Sequence, residues 1–464
     1  MQQQHFESLY PDTARQIDIE KIISYIKEGS SCQLLSIPGA GRSTVFRILA
    51  NNKKVRLKHL GELQAKTHFV LVNFSEIRKR PLFDAMKFLF LSVADSLRER
   101  GMNTEYEKVN GLFRDSLKLG DELVLFQALK QAIDYLSLTR KMNIVMLFDR
   151  FEEYIPTVTS EFFTNLRALR TRAKYQFSVI FSLNRPLESL LDPTQLSDYY
   201  EFVEGHEVYL TLSDDVTTEF RVKYIEKITD KKLHGELLGQ IIKETGGVGK
   251  LVKLSVEALL SDMSSPRKRG SMDSHFSSKG GLAHGNDKNL LGEYLFSQKQ
   301  IKEALSEICR SLTPSEQVTL IRQNYDNKEA VEYLECIAIL SKNKIQIPLF
   351  EQHIRTHMSD FKSSPKKIIY DGDKNIIKMG EVVLSDQLTS AEFKLLSFLL
   401  QSTERIVTRD EIIGVVWSEV KSTAGITDQA VDQLIFRVRR KIEEDPNSPQ
   451  HLLTVKGRGF KFIP

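Results

Sequence analysis

Residues 261–289 read SDMSSPRKRGSMDSHFSSKGGLAHGNDKN, a stretch of serine, glycine and charge with almost nothing to bury. No packed core runs through such a segment, because its few apolar groups cannot offset the entropy lost on ordering. It reads as a disordered linker or loop, so the chain is divided there. Length points the same way: single cores rarely grow beyond about 250–300 residues, and 464 residues imply about three domains.

Ahead of this break, apolar runs occur at 32–37 (CQLLSI), 68–74 (HFVLVNF), 143–148 (NIVMLF), 177–183 (FSVIFSL) and 208–212 (VYLTL), with helical stretches between them. Continuous apolar runs suit strands covered on both faces, as in a parallel sheet flanked by helices. The expected fold class is therefore α/β. Residues 14–28 set Ile17, Ile19, Ile22, Ile23 and Ile26 on an amphipathic helix that Gly29 would end.

The first run passes through Pro38, Gly39, Ala40, Gly41, Arg42, Ser43 and Thr44 into the helix VFRILANN. A strand that turns through glycines into a helix N-terminus gathers unpaired N–H groups and the positive end of the helix dipole, an anion-binding arrangement. Compared with G-x-x-x-x-G-K-[ST], Ser36 replaces the first glycine and Arg42 the lysine, while Gly41 and Ser43 are in place. Arginine keeps the charge but is bulkier and planar, so it need not reach the β and γ phosphates as a compact ammonium does. The third run ends in Asp149, as a strand carrying a Mg²⁺-holding carboxylate does, and the fourth in Asn184, where a polar side chain can feel a γ phosphate. Next to Asp149 stands Arg150 instead of a glutamate. Glu152 and Glu153 lie close, but an offset of two or three residues turns a carboxylate elsewhere. The plainer readings are an ordinary glycine turn and, for Glu152, a surface charge. Arg167, Arg170, Arg172 and Arg185 are candidates to reach a neighbour's nucleotide, against the simpler reading that each is solvated or paired.

With these pieces assembled, residues 1–260 resemble the AAA+ and STAND families of P-loop NTPases, in order and topology more than in exact letters. The run TGGVGKLVKLSVEAL at 245–259 is similar to the glycine-rich helix start of the lid in STAND-type and origin-recognition-type ATPases. The resemblance implies an ATP site at Pro38, Gly39, Ala40, Gly41, Arg42, Ser43, Thr44 and Asn184. It also implies Mg²⁺ held with the nucleotide by Ser43 and Asp149, with Asp149 and Glu152 as the catalytic candidates. With Arg150 in place, ATP binding is expected and ATPase activity is expected to be weak or absent.

Residues 290–362 carry LTPSEQVTLIRQ, capped by Thr313 or Ser315, then AVEYLECIAIL and KIQIPLFEQHIRTHM. This order resembles the winged-helix module that follows the ATPase core in AAA+ and STAND proteins. It has no concentrated basic helix, so a structural role is expected.

The last part, 366–464, opens with short strands between 368 and 384 that turn at Asp371, Gly372, Asp373 and Gly380. LTSAEFKLLSFLL and TRDEIIGVVW each begin with a capping-box spacing, Thr389 with Glu392 and Thr408 with Glu411. In TDQAVDQLIFRVRRK, Val431, Leu434, Ile435 and Val438 recur every three or four residues, leaving Arg437, Arg439, Arg440 and Lys441 on another face. Two alternating runs, LLTV and FKFI, then flank Lys456, Gly457, Arg458 and Gly459. These four blocks resemble the winged helix-turn-helix effector domain of OmpR/PhoB-type response regulators. The resemblance implies that the helix at 427–441 lies in a major groove of double-stranded DNA, with Thr427, Gln429, Gln433, Arg437, Arg439, Arg440 and Lys441 as its contacts. Lys456 and Arg458 on the hairpin would touch the neighbouring minor groove. Where the family often has a basic residue, this chain has Phe436.

A net charge of +4 is too small to argue for any partner, so the electrostatic argument is local. Cys32, Cys309 and Cys336 lie far apart without ligand spacing, which argues against a disulfide framework or zinc site. No apolar run approaches the roughly 18 residues that span a bilayer, and MQQQHFESLY is no signal peptide. The whole reads as a cytoplasmic, nucleotide-controlled DNA-binding regulator that could self-associate. Two other readings stay open: an active ATPase that remodels or loads a replication or defence complex on DNA, and a scaffold with a vestigial P-loop.

Overall fold

The computed structural model describes residues 5–464 except 192–195, 197, 200–202, 204, 213, 234, 263–289, 362–366, 381, 404, 419–426, 444, 445 and 447. The expected linker falls almost wholly outside the described residues; only Ser261 and Asp262 are described, ending a helix.

Strands β1 (Cys32–Leu35), β2 (Thr67–Asn73), β3 (Asn143–Asp149), β4 (Phe177–Leu183) and β5 (Glu207–Tyr209) make one parallel sheet in the order β2-β3-β4-β1-β5. Side chains alternate between its faces: Val145 and Leu147 join one apolar core, while Ile144, Met146 and Phe148 join the other. Both faces are covered, which is why the strand sequences read as unbroken apolar runs. The expected strand at 208–212 stops at Tyr209. Leu210 N still bonds Leu35 O, but Thr211 N donates to the Asp18 carboxylate at 3.0 Å, and this takes the chain off the ladder.

The helices of this part are α1 (Gln16–Glu28), α2 (Arg42–Asn51), α3 (Lys53–Leu60), α4 (Leu82–Glu99), α5 (Asn103–Leu119), α6 (Glu122–Asp134), α7 (Ser160–Ala173), α8 (Leu187–Leu190), α9 (Asp215–Thr229), α10 (Gly235–Thr245) and α11 (Gly249–Asp262). A glycine turn follows β1, and a carboxylate, Asp149, ends β3, as the α/β expectation had it.

Next come α12 (Leu290–Ser297), α13 (Lys299–Arg310), α14 (Pro314–Arg322), α15 (Lys328–Cys336), the two-stranded hairpin β6 (Leu340–Ser341) and β7 (Lys344–Ile345), and α16 (Pro348–Phe361). Thr313, not Ser315, caps α14, in a full capping box with Glu316. Leu295, Leu305, Leu334 and Phe350 belong to the same apolar core as Ile19, Leu34 and Val252, so this unit is packed continuously with one face of the P-loop part.

The C-terminal part has its own core. Strands β8 (Ile368–Asp371), β9 (Ile376–Met379) and β10 (Val382–Val383) form an antiparallel sheet, followed by α17 (Ser390–Gln401), the short strand β11 (Ile406–Val407), α18 (Arg409–Val416) and α19 (Asp428–Ile442). Strands β12 (Leu452–Val455) and β13 (Gly459–Phe462) make the final hairpin, and β11 pairs with β13. Both expected capping boxes, Thr389 with Glu392 and Thr408 with Glu411, are formed. Gly459 has φ +127°, and a Cβ there would lie 2.1 Å from Val407 O, so only glycine fits where the hairpin crosses β11. Three helices closed by a hairpin make a winged helix, with Leu395, Leu399, Val431, Leu434, Ile435, Val438, Phe460 and Phe462 inside it.

Candidate nucleotide site and nucleic-acid interface

The turn after β1 delivers Gly41 as the N-cap of α2 with no side chain capping it. The first-turn N–H groups of any helix have no intrahelical acceptor, so this end is open to an anion. Gly39 (φ +85°) and Gly41 (φ +117°) take conformations that side chains rarely adopt.

Ser43 Oγ donates to Asp149 Oδ1 at 2.8 Å, which sets a hydroxyl of the first turn of α2 beside the carboxylate that ends β3. Arg42 does not point away from this cluster. Its Nη2 bonds Glu152 Oε1 at 2.8 Å and Asn184 Oδ1 at 2.5 Å, so three of the residues singled out from the sequence form one network. Glu152 is not a surface charge: it lies half-buried in a 3-10 turn after β3, and burial pushes its carboxyl up while Arg42 pulls it down. Arg150 is exposed, in a left-handed conformation, and pairs with Glu153 at 3.5 Å, outside the network.

Three basic residues that sequence reasoning did not single out also meet the turn. Arg15, a buried residue before α1, donates from Nη2 to Ala40 O at 2.6 Å. Arg221 on α9 donates to Thr44 Oγ1 at 3.1 Å. Lys250 at the start of α11 bonds Gly39 O through its backbone N–H at 3.0 Å. They come from chain segments far away in sequence, and only the run GGVGK hinted at one of them. Between the turn and helices α9 and α11 the remaining cavity is about 20 Å³. The donor set fits a phosphate with its Mg²⁺: first-turn amides, Ser43 and Asp149. That cavity volume is far smaller than a nucleotide fills.

The other arginines considered for a neighbour's nucleotide are engaged within the chain. Arg167 pairs with Asp198 at 3.0 Å and Arg172 with Asp134 at 3.1 Å. Arg170 donates to Gly29 O, and Arg185 is held in a buried ion pair with Glu316 beneath the Tyr333 ring.

On α19 the basic residues do not form the free face that helical spacing predicts. Arg437 is buried, donates to Leu191 O and faces Glu392 at 3.7 Å. Arg439 reaches back to its own hairpin, to Leu452 O at 2.9 Å and Thr454 Oγ1 at 2.7 Å. Arg440 pairs with Glu329 of α15 at 3.1 Å, and Lys441 bonds Glu392 and Gln387 O, each at 2.6 Å. The physical reason is tertiary contact: the buried Glu392 carboxylate, the Glu329 carboxylate and carbonyls of neighbouring elements lie within bonding reach of these cations, and helical spacing does not register them. The exposed side chains of this helix and its cap are Thr427, Asp428, Gln429, Asp432 and Gln433. On the hairpin Lys456 and Arg458 stand exposed, flanking Gly457.

The family model described as "Transcriptional regulatory protein, C terminal" matches residues 385–462, and the C-terminal part is thus an OmpR/PhoB-type winged helix. A regulatory protein VirG of Rhizobium rhizogenes is 26% identical over 169 residues, which cover 34% of this chain and 69% of that protein. The sensory transduction protein RegX3 of Mycolicibacterium smegmatis is 43% identical over 71 residues, 15% of this chain and 30% of its own length. RegX3 of Mycobacterium tuberculosis is 32% identical over 107 residues, so the chain spans less than half the length of both RegX3 relatives, 45% for this one. Among solved structures, a Walker-type ATPase of Pyrococcus abyssi is 13% identical with a TM-score of 0.45, over 76% of this chain and 98% of that chain. The ORC2 protein of Aeropyrum pernix in its ADP form is 12% identical with a TM-score of 0.34, over 88% of this chain and 94% of that one. Among the described residues no helix is long and apolar enough to cross a membrane.

Proposed function

We propose that this chain is a cytoplasmic transcription regulator whose winged-helix reader of double-stranded DNA is controlled by ATP binding at the glycine turn. Residues 1–260 form the nucleotide domain, 290–362 a middle winged-helix spacer, and 366–464 the reader. The observation that carries the reading is the double role of Asn184. Its side-chain oxygen accepts from Arg42 of the glycine turn, and its backbone oxygen accepts from Tyr333 of α15 at 2.8 Å. A residue placed to sense phosphate thus also holds the helix that pairs with α19.

When bound, ATP with Mg²⁺ would supply charge that competes for Arg42. The first-turn amides of α2 would hold the phosphates, with Ser43 and Asp149 on the metal. Arg42 would then exchange Glu152 and Asn184 for a phosphate oxygen. No carboxylate stands next to Asp149 to orient water, since Arg150 fills that position, so binding without fast turnover is the expected behaviour. Binding alone shifts a conformational equilibrium if the two states differ in affinity.

The test is a thermal-shift titration with ATP and Mg²⁺. At a free concentration of 100 times Kd, stabilisation is about 2.7 kcal/mol, and Asp149→Ala removes it. Turnover stays well below about 1 s⁻¹, the low end for working enzymes. Robust hydrolysis that collapses in Glu152→Gln would replace this reading with that of a motor. The absence of any shift with any nucleotide would leave a vestigial scaffold.

A further inference from the structure

Gln429, Gln433 and Arg440 sit four and eleven residues apart on α19, on the face opposite its apolar stripe of Val431, Leu434, Ile435 and Val438. A helix that enters a major groove must present this outward face to base edges, with phosphates along both sides. Here the C-terminal half of that face is covered. Arg440 meets Glu329 at 3.1 Å, and Arg437 on the adjoining edge is held by Leu191 O. Glu329 and Tyr333 are four residues apart on α15, one turn along the same face. Glu329 reaches α19, while Tyr333 donates to Asn184 O at 2.8 Å. The gap at this junction is a cavity of about 470 Å³, with Glu152 and Asn184 on one wall and Trp417, Arg437 and Arg440 on another.

We propose that the surface formed by α15 and the Leu191 carbonyl is a docking site for the outward face of α19, so that this surface and duplex DNA are competing partners for one helix. Glu329 occupies the place on Arg440 that a DNA phosphate would take. This arrangement is the DNA-excluding form of the chain. The proposal rests on the DNA-reading function assigned to α19 and adds what restrains it. Tyr333 makes the docking surface sensitive to Asn184, and through it to whatever Arg42 binds.

The test uses the full chain and two near-isosteric variants, Glu329→Gln and Glu329→Gln with Tyr333→Phe. Neither residue belongs to the nucleotide site or to the DNA-contacting set. Affinity for a mixed-sequence duplex is read by fluorescence anisotropy at low salt, and amide hydrogen exchange is read over α15 and α19. The expected result is faster exchange in both helices and DNA affinity rising roughly three- to tenfold, as loss of one exposed ion pair and one hydrogen bond allows. Measurable DNA binding that is equal in all three proteins overturns the docking proposal and leaves the reader intact. Faster exchange with unchanged affinity overturns the competition between DNA and α15. Failure of every protein to bind any duplex at low salt overturns the DNA-reading function itself, and the docking proposal with it.

Discussion

At position 42 an arginine stands where a P-loop has lysine, and the structure shows what that exchange does to the site. One guanidinium nitrogen, Nη2, bonds both Glu152 and Asn184, and the shorter lysine side chain does not carry its ammonium as far. Arg42→Lys is therefore expected to loosen this bridge and to enlarge the nucleotide-induced rise in Tm, whereas Arg42→Ala abolishes the rise; a thermal-shift series reads both. A second residue reports on acid stability. His68 is buried, with Nδ1 facing Arg100 Nη1 at 3.1 Å and Nε2 against Ser96 Oγ at 2.9 Å. Burial first, then the charges of Arg100 and Arg56, push its pKa well below the ordinary value, so the folded chain keeps the ring neutral. The unfolded chain takes up this proton near pH 6.5 or so. The contribution is thus fully present above that pH and is lost as pH falls, by up to about 1.4 kcal/mol per unit. His68→Gln keeps an acceptor and a donor without a titration, so its Tm should fall less steeply between about pH 6.5 and 5.

Among the elements, the wing and its support carry the clearest expectations. Gly459 admits no side chain because Val407 O lies 2.1 Å from where a Cβ would be. Gly459→Ala should separate β11 from β13 and cost more than the roughly 1–3 kcal/mol of backbone strain alone, read as a lower-temperature unfolding step of the C-terminal part. Lys456 and Arg458 are exposed, so Ala at either should weaken DNA binding evenly across sequences and reduce the salt slope by about 0.9 each. Elements were legible in the sequence wherever local chemistry decides them. The buried strand runs, the Thr-x-x-Glu boxes at Thr389 and Thr408 and the hairpin turn are set by side chains within a few residues of one another. The glycine turn, Ser43 and Asp149 were legible for the same reason, since motif spacing reflects one strand–turn–helix unit. What stayed hidden depends on long-range packing. Arg15, Arg221 and Lys250 reach the turn from distant segments, and the partners of Arg437, Arg440 and Lys441 belong to other elements, so helical periodicity alone assigned these cations to solvent.

Taken as one molecule, the chain places Asn184 of the glycine-turn network and the winged helix on either side of one short helix. Asn184 touches α15 through Tyr333, and α15 touches α19 through Glu329. Coupling between two ligands through such a link is a free energy shared by both, so whatever factor ATP exerts on DNA affinity, DNA exerts on ATP affinity. Couplings of this kind amount to about 1–3 kcal/mol, a factor of roughly 5 to 150. The most direct measurement is the affinity of the full chain for a duplex with and without saturating ATP and Mg²⁺, repeated in reverse as ATP affinity with and without DNA. The account predicts the same factor, at least about fivefold, in both directions, and its loss in Asp149→Ala. Identical DNA affinity at zero and saturating nucleotide, with nucleotide binding verified in the same sample, would contradict it.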